Sequence, residues 1–132
     1  GAKIAQDLFS GSPEEELEGI SGKKIVGIRE EIIIHGMGKE KHTTLAKIDT
    51  GAYRTSIAHS IADKLHLTNI LKYKKVRGAL GKEERAIVDL TFELNGEKVR
   101  TEAFISSRDE MKHDVIIGRR DLKKFLVDPT KM

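Results

Sequence analysis

The stretch Ala46-Lys47-Ile48-Asp49-Thr50-Gly51-Ala52 ends an alternating apolar run on an acid and follows it with a glycine. Aspartate is depleted in strands, so a turn, a cap or chemistry has to account for it. The chemistry open to a carboxylate there is proton transfer: it takes a proton from a water or gives one to a group under attack. A turn-forming aspartate in a domain that only binds or supports is the competing reading. His59, Asp63 and His66 form a second cluster, spaced i, i+4 and i+7 on a short helical stretch. Three metal ligands can be arranged that way, but a solvated polar face is the commoner result of such spacing, and neither H-E-x-x-H nor a cysteine is present. No metal and no cofactor are expected.

Composition narrows the classes. A chain of 132 residues makes one domain, which buries roughly two thirds of the surface its unfolded form exposes. With 38% hydrophobic and 34% charged residues and a formal net charge of +3, it reads as an ordinary globular protein with a heavily charged surface. The absence of cysteine excludes disulfides and thiolate catalysis. No apolar run approaches the roughly 18 residues of a membrane span, and the first residues lack a secretory leader pattern, so a cytoplasmic protein is expected. The lysines of Lys72-Tyr73-Lys74-Lys75 and Lys123-Lys124 read as solvated faces. With two Tyr, four Phe and no Trp, stacking recognition of nucleic acid is disfavoured.

Asp49 must be positioned by the elements around it. Residues 1–22 carry Ser10-Gly11-Ser12-Pro13, an acidic run from Glu14 to Glu18 and few apolar side chains, and are expected to form a flexible or peripheral arm. Residues 23–132 form the domain. Ile25 to Ile34 and Thr43 to Asp49 read as paired strands broken by His35-Gly36-Met37-Gly38. Ile57, Ile61 and Leu65 mark a short helix that Thr55 or Ser56 can cap. Val88, Leu90, Phe92 and Leu94 alternate with polar residues up to Asn95-Gly96, the dipeptide of a type I′ hairpin, and Val99 to Ile105 returns. Val115-Ile116-Ile117 reads as a buried strand stopped by Gly118, and Leu122, Phe125 and Leu126 mark a second brief helix ending near Asp128-Pro129.

The Asp49-Thr50-Gly51-Ala52 loop and the later Val115-Ile116-Ile117-Gly118-Arg119 together resemble the retropepsin-like aspartic peptidases. More narrowly, "AKIDTGA", "RTS" and "VIIGRRDLKKFLVD" look like the bacterial and archaeal family labelled RimK-associated ATP-dependent zinc protease, over residues 24–128. The resemblance implies a mostly β, closed acid-protease barrel with two short helices and Asp49 as the catalytic acid. An aspartic peptidase needs two carboxylates sharing a proton, and this chain has a single Asp-Thr-Gly, so a twofold homodimer is expected to complete the pair.

Within that frame Gly51 lets the backbone turn and aims its N–H at the carboxylate, the Thr50 hydroxyl reaches across the dimer axis, and Ala52 leaves room for a peptide. Ser56 is expected to hydrogen-bond the outer oxygen of Asp49. Val76-Arg77-Gly78-Ala79-Leu80-Gly81 is a candidate flap tip, with its glycines as hinges. Ile116, Ile117, Gly118 and Arg119 give structural support. Viral members have acids after the Asp-Thr-Gly-Ala, whereas Tyr53 and Arg54 stand here, so Arg119 is expected to pair with Asp109 or Asp128. Arg54, Arg77 and Arg85 beside the cleft would attract acidic side chains, in keeping with the family's link to ligases that add glutamate. The function implied is an aspartic peptidase for glutamate-containing peptides or tails. The alternatives are a noncatalytic peptide- or protein-binding module on the same fold and, third, a basic nucleic-acid-binding domain.

Overall fold

The structure, a computed structural model, describes residues 22–78, 81–107 and 112–131. The expected arm therefore lies, up to residue 21, outside the described residues.

The two runs either side of His35-Gly36-Met37-Gly38 form an antiparallel hairpin, β2 (Arg29–His35) on β3 (Lys41–Asp49). β3 then takes a distant neighbour, β8 (Val115–Gly118), in parallel, with Ile48 opposite Ile117 and Asp49 opposite Gly118. On its other side β8 pairs antiparallel with β4 (Ser56–Ala58), which lies parallel to β7 (Glu97–Ser106). β7 is the hairpin partner of β6 (Gly81–Leu94), and Leu94 and Phe92 of β6 pair back onto Ile32 and Ile34 of β2. Six strands thus close a ring, β2-β3-β8-β4-β7-β6. Closure leaves these strands without the open edges of a flat sheet. β5 (Ile70–Gly78) hangs on β6 outside the ring.

The ring closes because alternate side chains fill it. Ile32, Ile34, Leu90, Phe92, Leu94, Ala103, Val115 and Ile117 are buried together, as the period-two pattern of β6 and β7 requires. The Asn95-Gly96 turn has φ of 47° and 79°, both positive, as a type I′ hairpin demands. Val115 and Ile117 are fully buried, in keeping with a strand that has neighbours on both sides.

The helices differ from expectation. The first, α1 (His59–Lys64), begins after Ala58 without a side-chain cap, because Ser56–Ala58 is committed to the ring as β4. Leu65 ends it and His66 takes φ 55°, so His66 does not share one helical face with His59 and Asp63. Those two form an exposed i,i+4 pair at 3.2 Å. The second helix is only a 3₁₀ turn, Arg119–Asp121, and Phe125–Val127 is instead a strand, β9, parallel to β1 (Lys24–Val26). Leu122 and Phe125 are buried all the same, since a turn followed by a strand buries those positions as a helix would.

The β5–β6 hairpin projects past the ring, for residues 82–86 of β6 pair with β5 alone and pairing with β7 begins at Ile87. The segment expected to form a flap tip falls at the end of this hairpin. Arg77 pairs with Lys82 and Gly78 with Gly81; Ala79 and Leu80 lie outside the described residues.

Candidate active site

Asp49 is the last residue of β3, and the next three residues turn sharply, the Ala52 N–H donating to the Asp49 carbonyl at 3.2 Å. The carboxylate points partly to solvent, its side chain 32% exposed, with the Lys47 ammonium 3.9 Å from Oδ2. The Gly51 N–H donates to Oδ1 at 3.0 Å. Gly51 does this without a left-handed φ: only Gly38, Gly81 and Gly96 among the described glycines have one. Its constraint is space, since a Cβ would stand 3.1 Å from Asp49 Oδ1.

What holds the loop is a residue that sequence reasoning assigned only to helix capping. Thr55 is fully buried; its hydroxyl donates to Asp121 Oδ2 at 2.6 Å and accepts from the Gly118 N–H at 3.1 Å. A buried hydroxyl with both functions satisfied fixes the two segments it joins. Its only signal in sequence is a threonine at the loop-to-strand junction. Backbone bonds continue the clamp: the Arg119 N–H donates to the Ala52 carbonyl at 2.8 Å and the Arg120 N–H to the Tyr53 carbonyl at 3.1 Å. Gly118 makes this approach possible, for a Cβ there would lie 2.6 Å from the Tyr53 carbonyl oxygen and from the Arg54 carbonyl carbon.

The structure therefore brings Asp49, Thr50, Gly51, Ala52 and Tyr53 together with Gly118 and Arg119, while Ile116 and Ile117 supply the strand beneath. Thr50, Gly51 and Tyr53 are exposed. Ser56 makes no hydrogen bond to Asp49; as part of β4 it pairs with Phe104 and Ile116. Arg119 finds no acid among the described residues and lies over the Tyr53 ring at 5.2 Å. Asp128 is engaged elsewhere: the Thr130 hydroxyl and N–H donate to it at 2.6 and 2.9 Å and hold its carboxyl below the usual range. Asp109 lies outside the described residues. Arg54 donates to the Glu102 carbonyl at 3.1 Å and covers the Phe104 ring, and Arg85 is tied to Glu83 at 2.9 Å. Arg77 stays on the projecting hairpin. No group of three metal-ligating side chains occurs among the described residues.

A closed β ring whose late strand passes between the two strands flanking an Asp-Thr-Gly turn is the retropepsin-like aspartic protease fold. The Legionella pneumophila protein Lpg0085, of unknown function, superposes with a TM-score of 0.55 at 19% identity, over 80% of this chain and 93% of that one. The simian foamy virus protease gives 0.53 at 19% identity, covering 70% and 89%, and the EIAV protease in complex with the inhibitor HBY-793 gives 0.50 at 16%, covering 70% and 81%. No curated protein matches in sequence. Residues 59–132 match the RimB-like family, described as the retropepsin-like aspartic endopeptidase RimB, and the chain belongs to that family. The match begins downstream of Asp49, so the Asp49 loop stands on its own geometry. No helix among the described residues is long and apolar enough to cross a membrane.

Proposed function

We propose that the chain is an aspartic-type peptidase in which Asp49 from each of two chains forms the acid pair, acting on glutamate-containing peptides or tails. The observation that carries this reading is a partly exposed carboxylate on a loop clamped to the ring by Thr55 and Gly118, one such acid per chain. Across a twofold axis one carboxylate takes a proton from the attacking water while the other donates one to the scissile carbonyl oxygen. Thr50 meets its symmetry mate, Ala52 leaves space for the peptide, and the end of the β5–β6 hairpin, with Arg77, Gly78 and Gly81, reaches over it. Tyr53 and Arg54 flank the bound chain.

Arg54 uses one of its five N–H donors on the Glu102 carbonyl, which leaves others for a substrate acid. Arg77 makes no ion pair among the described residues, so its charge is uncommitted. Peptides with glutamate flanking the scissile bond should therefore be cut faster than glutamine counterparts, by about fivefold for each well-placed exposed pair. The preference should shrink as salt screens it, and Arg54→Ala and Arg77→Ala should erode it more than they slow a neutral peptide. Parallel kcat/KM measurements on the two peptides across a salt series check this. Equal rates throughout would remove the acidic substrate and leave the peptidase standing.

A further inference from the structure

Behind the 3₁₀ turn, Lys98 and Arg100 of β7 together with Arg120, Lys123 and Lys124 line a cavity of about 250 Å³, with Val99 and Phe125 as apolar walls. The acid that shares this lining, Asp121, already accepts the Thr55 hydroxyl. Arg100 is held by Asp89 at 2.6 Å, and Lys124 stands 4.0 Å from Glu97, an acid that also faces Lys24. Lys98, Arg120 and Lys123 have no carboxylate partner among the described residues. Three uncompensated cations around one cavity are notable in a chain whose net charge is only +3.

The cavity continues along β7. Arg100 and Arg120 also border an adjoining recess with Leu71, Asp89, Thr101 and Glu102, whose two acids are taken up by Arg100 and by Lys72 at 3.3 Å. From Lys98 to Glu102 this path is about 13 Å, four strand residues long, and its cations at 98 and 100 repeat every second residue as the side chains of an extended peptide do. Phe125 is only 5% exposed, so the cavity has no aromatic platform on which a base could stack. The path abuts the Asp49 loop, for Arg120 donates its N–H to the Tyr53 carbonyl and its guanidinium lies 5.8 Å over the Tyr53 ring.

We propose that this basic groove is an exosite for an acidic peptide segment, holding a glutamate-rich stretch of substrate beside the Asp49 loop. Its use in cleavage rests on the peptidase reading above; its binding does not.

The test is fluorescence anisotropy with labelled hexaglutamate on the full chain carrying Asp49→Asn, which binds without turnover. Hexaglutamate should bind, hexaglutamine should not, and added salt should weaken the complex. Lys98→Glu with Lys123→Glu should weaken it by about tenfold or more, and the milder Lys98→Gln with Lys123→Gln by less, at unchanged melting temperature. Equal binding of hexaglutamate by the charge-reversed and parent chains would overturn the exosite, as would equal binding of hexaglutamine. Tighter binding of an oligothymidylate of matched charge would overturn it in favour of a nucleic-acid surface. Hexaglutamate binding by a wild type that cleaves no peptide would support the exosite and overturn the peptidase reading alone.

Discussion

Asp49→Asn should leave a folded protein that no longer hydrolyses peptides. Asparagine retains a side-chain oxygen to accept the Gly51 N–H, and the contact given up with Lys47 is a solvent-exposed one worth little. An amide cannot take a proton from water, so the acid–base contribution, about 10²–10⁴-fold in rate, goes with the carboxylate. The measurement is kcat on a peptide cleaved by the wild type, alongside a thermal melt of both proteins. Undiminished turnover would sink the aspartic mechanism. Wild type and variant that are both inert, yet bind a peptide equally, would favour the noncatalytic module.

Gly118→Ala should have the second-largest effect, this time on the fold around the site. The added methyl would meet the backbone of Tyr53 and Arg54 at 2.6 Å, and main chain clamped by the Arg119 and Arg120 N–H groups cannot step aside cheaply. Displacing it also strains the Gly118 N–H to Thr55 hydrogen bond and the pairing with Asp49. A loss of about 3 kcal/mol or more follows from overpacking a buried site against backbone, with activity falling along with it. Urea denaturation of both proteins reads this directly. A variant as stable and as active as the parent would mean that the loop does not lie across β8 as described.

These two residues also mark how far the sequence could be read. Asp49 and Gly118 announce themselves locally, an acid and a glycine each ending an apolar run, and β6 with its Asn95-Gly96 turn shows the period of two that a half-buried strand requires. Pairings that depend on distance in the chain do not announce themselves. β9 meets β1 in parallel about a hundred residues away, so the Leu122, Phe125 and Leu126 spacing passed for a helix when a turn and a strand satisfy it equally. Thr55 had a capping signal, but its partners Gly118 and Asp121 are 63 and 66 residues on. Gly51 aims its N–H at Oδ1 as its place in the loop suggests, but it needs no left-handed backbone to do so, and the lack of a side chain beside Oδ1 is what the position requires. Among the described residues Arg119 meets the exposed Tyr53 ring and no acid, a contact that opposite charge alone does not foretell.

The central claim is that catalysis needs two Asp49 carboxylates from two chains. It is tested most directly by mixing wild-type and Asp49→Asn chains at fixed total concentration, well above the dimer dissociation constant, and letting subunits exchange before activity is measured. If both acids are required, only wild-type pairs are active, so activity follows the square of the wild-type fraction and an equal mixture retains about a quarter of it. A linear dilution, with about half the activity left in the equal mixture, would show that each chain acts with its own Asp49 alone and would contradict the shared pair.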